Sequence, residues 1–79
     1  MAKYSLAERL RIARESRGLT GARVGDLTGI TETSLSRYEN GKRIPNALVL
    51  GSLCRVYGVS ANWILGLKEG LKWDDKKDG

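Results

Sequence analysis

The sequence predicts an all-α fold, a compact bundle of five short helices. Three observations carry that expectation. Gly18, Gly29, Gly41 and Gly58 each follow a segment with helical apolar spacing, where a left-handed residue would end a helix. Thr20, Thr31 and Ser60 stand two residues beyond such a glycine, placed to cap the next helix. Between these marks no stretch of strand length alternates apolar with polar residues.

The first helix opens at Ser5, where Ser5-Leu6-Ala7-Glu8 reads as a capping box. Leu6, Leu10 and Ala13 then form its inner face, and Arg14 falls beside Leu10 on that same face. The second helix is expected from about Gly21 to Thr28, burying Val24 with Leu27 or Thr28 beside it. Gly25 costs about 1 kcal/mol of helix propensity against alanine. The expected return is a close backbone approach between the second and third helices. The third helix runs from Glu32 to Asn40. Leu35, Tyr38 and Glu39 point inward, while Thr33, Ser36, Arg37 and Asn40 point outward. Pro45 forbids helix just before it, and Asn46 caps the fourth helix. Leu50, Leu53, Cys54 and Tyr57 make the inner stripe of that helix. Leu48, Val49 and Val56 fall off it. The fifth helix opens after Ser60 and carries Trp63, Ile64 and Leu67, with Trp63 read as core. The domain is placed at residues 1–70, followed by a polar, flexible tail at 71–79.

Composition narrows the chemistry. A chain of 79 residues is one domain. At that size only about 60–65% of the unfolded surface is buried, so the margin of stability is thin. With 29% charged residues and no apolar run near the roughly 20 that a spanning helix needs, a membrane protein is not expected. The N-terminal MAKYSLAERL has no apolar h-region, so secretion is not expected either. A single cysteine allows no internal disulfide and fits a reducing cytoplasm; Cys54 reads as a small core thiol. With no histidine, neither a zinc site nor a Ser-His-Asp triad is expected, and no metal, cofactor or enzyme activity is implied. Net charge is +5 and most of the excess lies before Pro45, which favours an anionic partner.

The stretch LTGARVGDLTGITETSLSRYENG gives that partner a shape. Helix, tight turn and a second helix with a polar outward face form the layout of a helix-turn-helix that reads DNA. A major groove admits one helix, and polar side chains read its base edges. The Arg37 fork suits guanine O6 and N7. Thr33 offers a methyl to thymine or a hydroxyl to phosphate, and Ser36 lets the backbone come close. Glu32 has two readings. It stabilises the helix N-terminus through the macrodipole, or it accepts from a cytosine N4 amine. Arg14 and Glu39 are each a lone charge on an apolar face, tolerable only if they pair.

Leu6 to Leu67 resembles the helix-turn-helix domain of Cro and of lambdoid phage repressors, found in many bacterial regulators. The carriers are RLRIAR, the LT opening of the second helix, GIT at the turn, SLSRYENGKRIP, and YGVSANWILGL. The resemblance implies a transcriptional regulator, a repressor by preference, that binds a palindromic double-stranded operator as a homodimer in a bacterial or phage setting. It implies an Arg14–Glu39 bridge with the arginine near a phosphate. It also implies phosphate contacts from the second-helix N-terminus (Gly21, Ala22 and Arg23) and from Asn40, Lys42 and Arg43. Dimer contacts would come from the C-terminal part: Leu48, Val49, Val56, Leu67, Leu71 and Trp73. Four positions depart from the family. Gly21 stands where glutamine is usual, Gly25 replaces an alanine, and Glu32 and Thr33 replace glutamines of the recognition helix. An interaction or antitoxin module, or the N-terminal half of a longer repressor, are the alternative expectations.

Overall fold

The computed structural model describes residues 4–67. The expectations for Leu71, Trp73 and the tail at 71–79 lie outside the described residues. Five helices follow in order: α1 Leu6–Ser16, α2 Gly21–Thr28, α3 Glu32–Glu39, α4 Ala47–Tyr57 and α5 Ala61–Leu65. Among the described residues there is no strand.

Each helix start is set by a side chain that takes up an otherwise unpaired amide. Ser5 Oγ accepts from Glu8 N at 3.1 Å, and Glu8 reaches back to the Ser5 amide at 2.9 Å, completing the capping box. Thr20, Thr31, Asn46 and Ser60 accept in the same way from Arg23, Ser34, Val49 and Trp63.

α1 packs on α3 and α5, α2 on α3 and α4, and α4 on α5. The core between them is Leu10, Ala13, Val24, Leu35, Tyr38, Leu53, Tyr57 and Ile64. Full burial of one such aliphatic or aromatic side chain is worth roughly 1.5–3 kcal/mol. Removing any of them therefore takes a large share of the few kcal/mol that hold a small domain together.

Four expectations change. Val49 and Val56 are half-buried against the core instead of free on the surface. The apolar face of α4 is broad because α2 and α5 both pack on it. Trp63 is 36% exposed and lies beside α1, with the Arg9 guanidinium 5.0 Å from its ring centroid. Arg9 also donates to the Trp63 carbonyl at 3.0 Å and to the Tyr4 carbonyl at 3.3 Å, so α5 is clasped to the start of α1. Leu67 lies beyond α5, which ends at Leu65, and is exposed. Finally, Gly25 is not opposed by α3. A Cβ there would stand 3.0 Å from the Ile30 carbonyl oxygen, in the turn before α3.

Candidate nucleic-acid interface

The angle between α2 and α3 is fixed by a short set of bonds. Thr28 Oγ1 donates to the Val24 carbonyl at 2.7 Å and accepts from Ile30 N at 3.0 Å. Gly29 closes α2 with φ +81°, a left-handed conformation that costs glycine little, and its amide returns to the Gly25 carbonyl at 2.8 Å. Thr31 then starts α3 with an extended backbone and a capping oxygen. This turn has no slack, so the outward direction of α3 is set by α2.

Leu35 and Tyr38 anchor the inner face of α3 in the core. Helical spacing therefore turns Thr33, Ser36, Arg37 and Asn40 outward, and all four are exposed. Arg37 makes no side-chain hydrogen bond or ion pair among the described residues, so its donors are available. Its carbonyl accepts from Lys42 N at 2.9 Å and Arg43 N at 3.3 Å. The loop that carries two exposed cations is thereby tied to the helix that carries the third. Asn40 is less available. Its amide nitrogen donates to the Ser36 carbonyl at 2.9 Å and to Ser36 Oγ at 3.2 Å. An outward contact by that nitrogen requires it to release Ser36. Glu32 is exposed at the start of α3, close to the Gly21 backbone. Gly21, Ala22 and Arg23 form the first turn of α2, with Ala22 and Arg23 exposed.

Arg14 and Glu39 pair across α1 and α3. Arg14 Nε meets one carboxylate oxygen at 2.7 Å and a terminal nitrogen meets the other at 3.0 Å, a bidentate arrangement. The third nitrogen donates to the Leu19 carbonyl at 2.8 Å. The side chains are only 17% and 8% exposed. The Glu39 hydrogen bond holds the Arg14 pKa above its ordinary value against the opposing effect of burial. Burial pushes the Cys54 thiol up, which suits an unreactive, half-buried group.

Sequence reasoning missed Ile44. It is 78% exposed in the loop before α4, and Leu48 in the first turn of α4 is 83% exposed. Its position between Arg43 and the buried Pro45 gave no periodic pattern by which to assign it. Arg17, in the turn after α1, is exposed. Its guanidinium occupies the space a side chain at position 58 would need, against the C-terminal end of α4. Among the described residues no His, Cys, Asp or Glu group is arranged to hold a metal ion, and no helix is long and apolar enough to cross a membrane.

Comparison with known proteins places this geometry. The model of the helix-turn-helix domain family matches residues 5–62. YonR, an SPbeta prophage-derived HTH-type transcriptional regulator of Bacillus subtilis, is 38% identical over 58 residues, which is 73% of this chain and 54% of that protein. The HTH-type transcriptional regulator ImmR of Bacillus subtilis is 35% identical over 68 residues, 86% of this chain and 54% of ImmR. The chain thus spans about half the length of these relatives. Among solved structures, the P22 c2 repressor in complex with a synthetic operator superposes with a TM-score of 0.74 at 24% identity, covering 80% of this chain and 96% of that one. The clp gene regulator ClgR of Corynebacterium glutamicum gives 0.71 at 25% identity, covering 75% and 63%.

Proposed function

The chain belongs to the helix-turn-helix domain family of Cro and lambdoid repressor type; from that premise we propose that it is a sequence-specific, DNA-binding transcriptional repressor that acts as a symmetric dimer on an inverted-repeat operator. The observation that carries this is the outward face of α3, where Thr33, Ser36 and Arg37 stand exposed on a helix whose other side is locked in the core. In this reading α3 enters the major groove. Arg37 takes a guanine, Thr33 contacts a thymine methyl or a phosphate, and Ser36 allows close approach. Glu32 accepts from a cytosine amine. The first turn of α2 (Gly21, Ala22 and Arg23) holds the backbone on one side of the groove. Asn40, Lys42 and Arg43 hold it on the other.

Two copies related by a two-fold axis present two such helices about 34–36 Å apart, one DNA turn. Ile44 and Leu48 supply the exposed apolar surface for that pairing, with Leu67 beside the fifth helix. Bound to a promoter, the dimer excludes polymerase. The likeness to a repressor solved on its operator supports the DNA-reading part of this assignment. Being similar to regulators, and carrying no histidine, the chain is read as a binding protein without cofactor or catalysis.

Selection of bound duplexes from a random DNA pool tests the proposal. The expected result is a palindromic motif with half-sites one helical turn apart. Enrichment of no sequence, or of a single unrepeated half-site at every protein concentration, contradicts specific dimeric binding.

A further inference from the structure

Arg14 has little left to offer a ligand. All three of its nitrogens are engaged within the protein, two with Glu39 and one with Leu19, and its side chain is largely covered. Arg11 lies three residues earlier, on the same side of α1. It is exposed and makes no hydrogen bond or ion pair among the described residues. Both arginines line one polar cleft of about 350 Å³ between α1, the start of α2 and the flank of α3, and Gly21, Glu32, Glu39 and Asn40 are among the residues of its wall. Gly21 leaves that cleft open. Even a Cβ at this position would find nothing nearer than Leu35 at 3.7 Å and Glu32 at 3.8 Å.

The cleft runs between Gly21 and Asn40, two residues that the proposed function sets against the DNA backbone. Its two carboxylates differ. Glu39 is neutralised by Arg14, whereas Glu32 has no ion pair among the described residues. A phosphate brought to this cleft meets the field of Glu32, so an unengaged cation is needed to make the approach favourable. We propose that Arg11, not Arg14, grips a backbone phosphate of the bound duplex from this cleft and offsets the repulsion of Glu32. This inference rests on the DNA-binding reading above.

The test compares the wild type with Arg11→Gln and Arg11→Lys on two probes, a duplex enriched from a random pool and a scrambled duplex of equal length, over a range of salt. Arg11→Gln is expected to weaken binding to both duplexes by the same factor. The slope of log affinity against log salt should become shallower by about 0.9 per half-site. Arg11→Lys keeps the slope, and the melting temperature of the free protein is unchanged in both variants. An unchanged slope for Arg11→Gln overturns the inference. So does a lower melting temperature with no change in slope, which would make Arg11 an internal partner of Glu32. A wild type that binds neither probe at any salt defeats the DNA-binding reading itself, and the inference falls with it.

Discussion

Single side chains in this domain divide between those proposed to read DNA and those that hold the fold. Arg37 is held at its Cα by Leu35 and Tyr38, while its fork is free. Arg37→Ala should lower discrimination by about 1–3 kcal/mol at one base pair of each half-site. Binding measured on a set of single-base operator variants checks this, and an equal loss on all of them would reduce Arg37 to a phosphate contact. The Arg14–Glu39 pair belongs to the other class. Breaking a largely covered pair from one side leaves a charge without its partner, so Glu39→Ala should cost about 3–5 kcal/mol in urea unfolding. Replacing both residues with apolar ones should recover most of that. Tyr57 is a third case. Its ring is buried in the core, and its hydroxyl has no hydrogen-bond partner among the described residues. Burial pushes its pKa up to about 12, the Glu39 carboxylate adds to the rise, and Arg14 opposes it. The folded state thus keeps this proton more tightly than the unfolded chain, whose tyrosine titrates near 10. Its contribution is complete below pH 10 and is lost as pH climbs through about 12. Tyr57→Phe should flatten the alkaline fall in stability without destabilising the protein at neutral pH, as chemical unfolding at several pH values will show.

Among the elements, the joint between α2 and α3 decides how the outward face of α3 is presented. Alanine at position 25 would ordinarily help a helix by about 1 kcal/mol. Here its Cβ would press on the Ile30 carbonyl at 3.0 Å, and that atom is backbone in the turn. Gly25→Ala is therefore expected to gain nothing in stability and to weaken DNA binding by tilting α3. Thermal unfolding and duplex titration of the same variant check both halves. The helix starts were legible in the sequence because each has a short polar cap at a fixed offset from an apolar run: Ser5, Thr20, Thr31, Asn46 and Ser60. The ends were legible where glycine takes a left-handed turn, as at Gly29 and Gly58. The broad face of α4 was not. A single stripe reads one packing partner, whereas Val49 and Val56 answer to a second one. Nor was the Arg9–Trp63 clasp, because α5 has too few residues to show a period and Arg9 lies 54 positions away.

The whole domain combines a basic half, a fixed outward helix and two strongly exposed apolar side chains, Ile44 and Leu48. The outward residues of α3 were identified in the sequence by elimination, since Leu35 and Tyr38 had to face the core. Exposure of Leu48 was legible in the sequence because it falls off the inner stripe of α4, whereas that of Ile44 depends on the path of a loop and no local pattern encodes it. In the proposed dimer, Leu48→Glu should break the pairing, as sedimentation would read it, while leaving the monomer folded, because an 83% exposed side chain contributes little to the core. It should also reduce operator affinity by removing the linkage between half-sites. In the proposed function α3 turns its polar face to a duplex. Titrating the labelled protein with the selected operator and following backbone amide resonances tests it most directly. The largest shifts should fall at Glu32, Thr33, Ser36, Arg37 and Lys42, with α5 nearly silent. Shifts concentrated on α4 and α5, with α3 unmoved at saturation, would contradict the account.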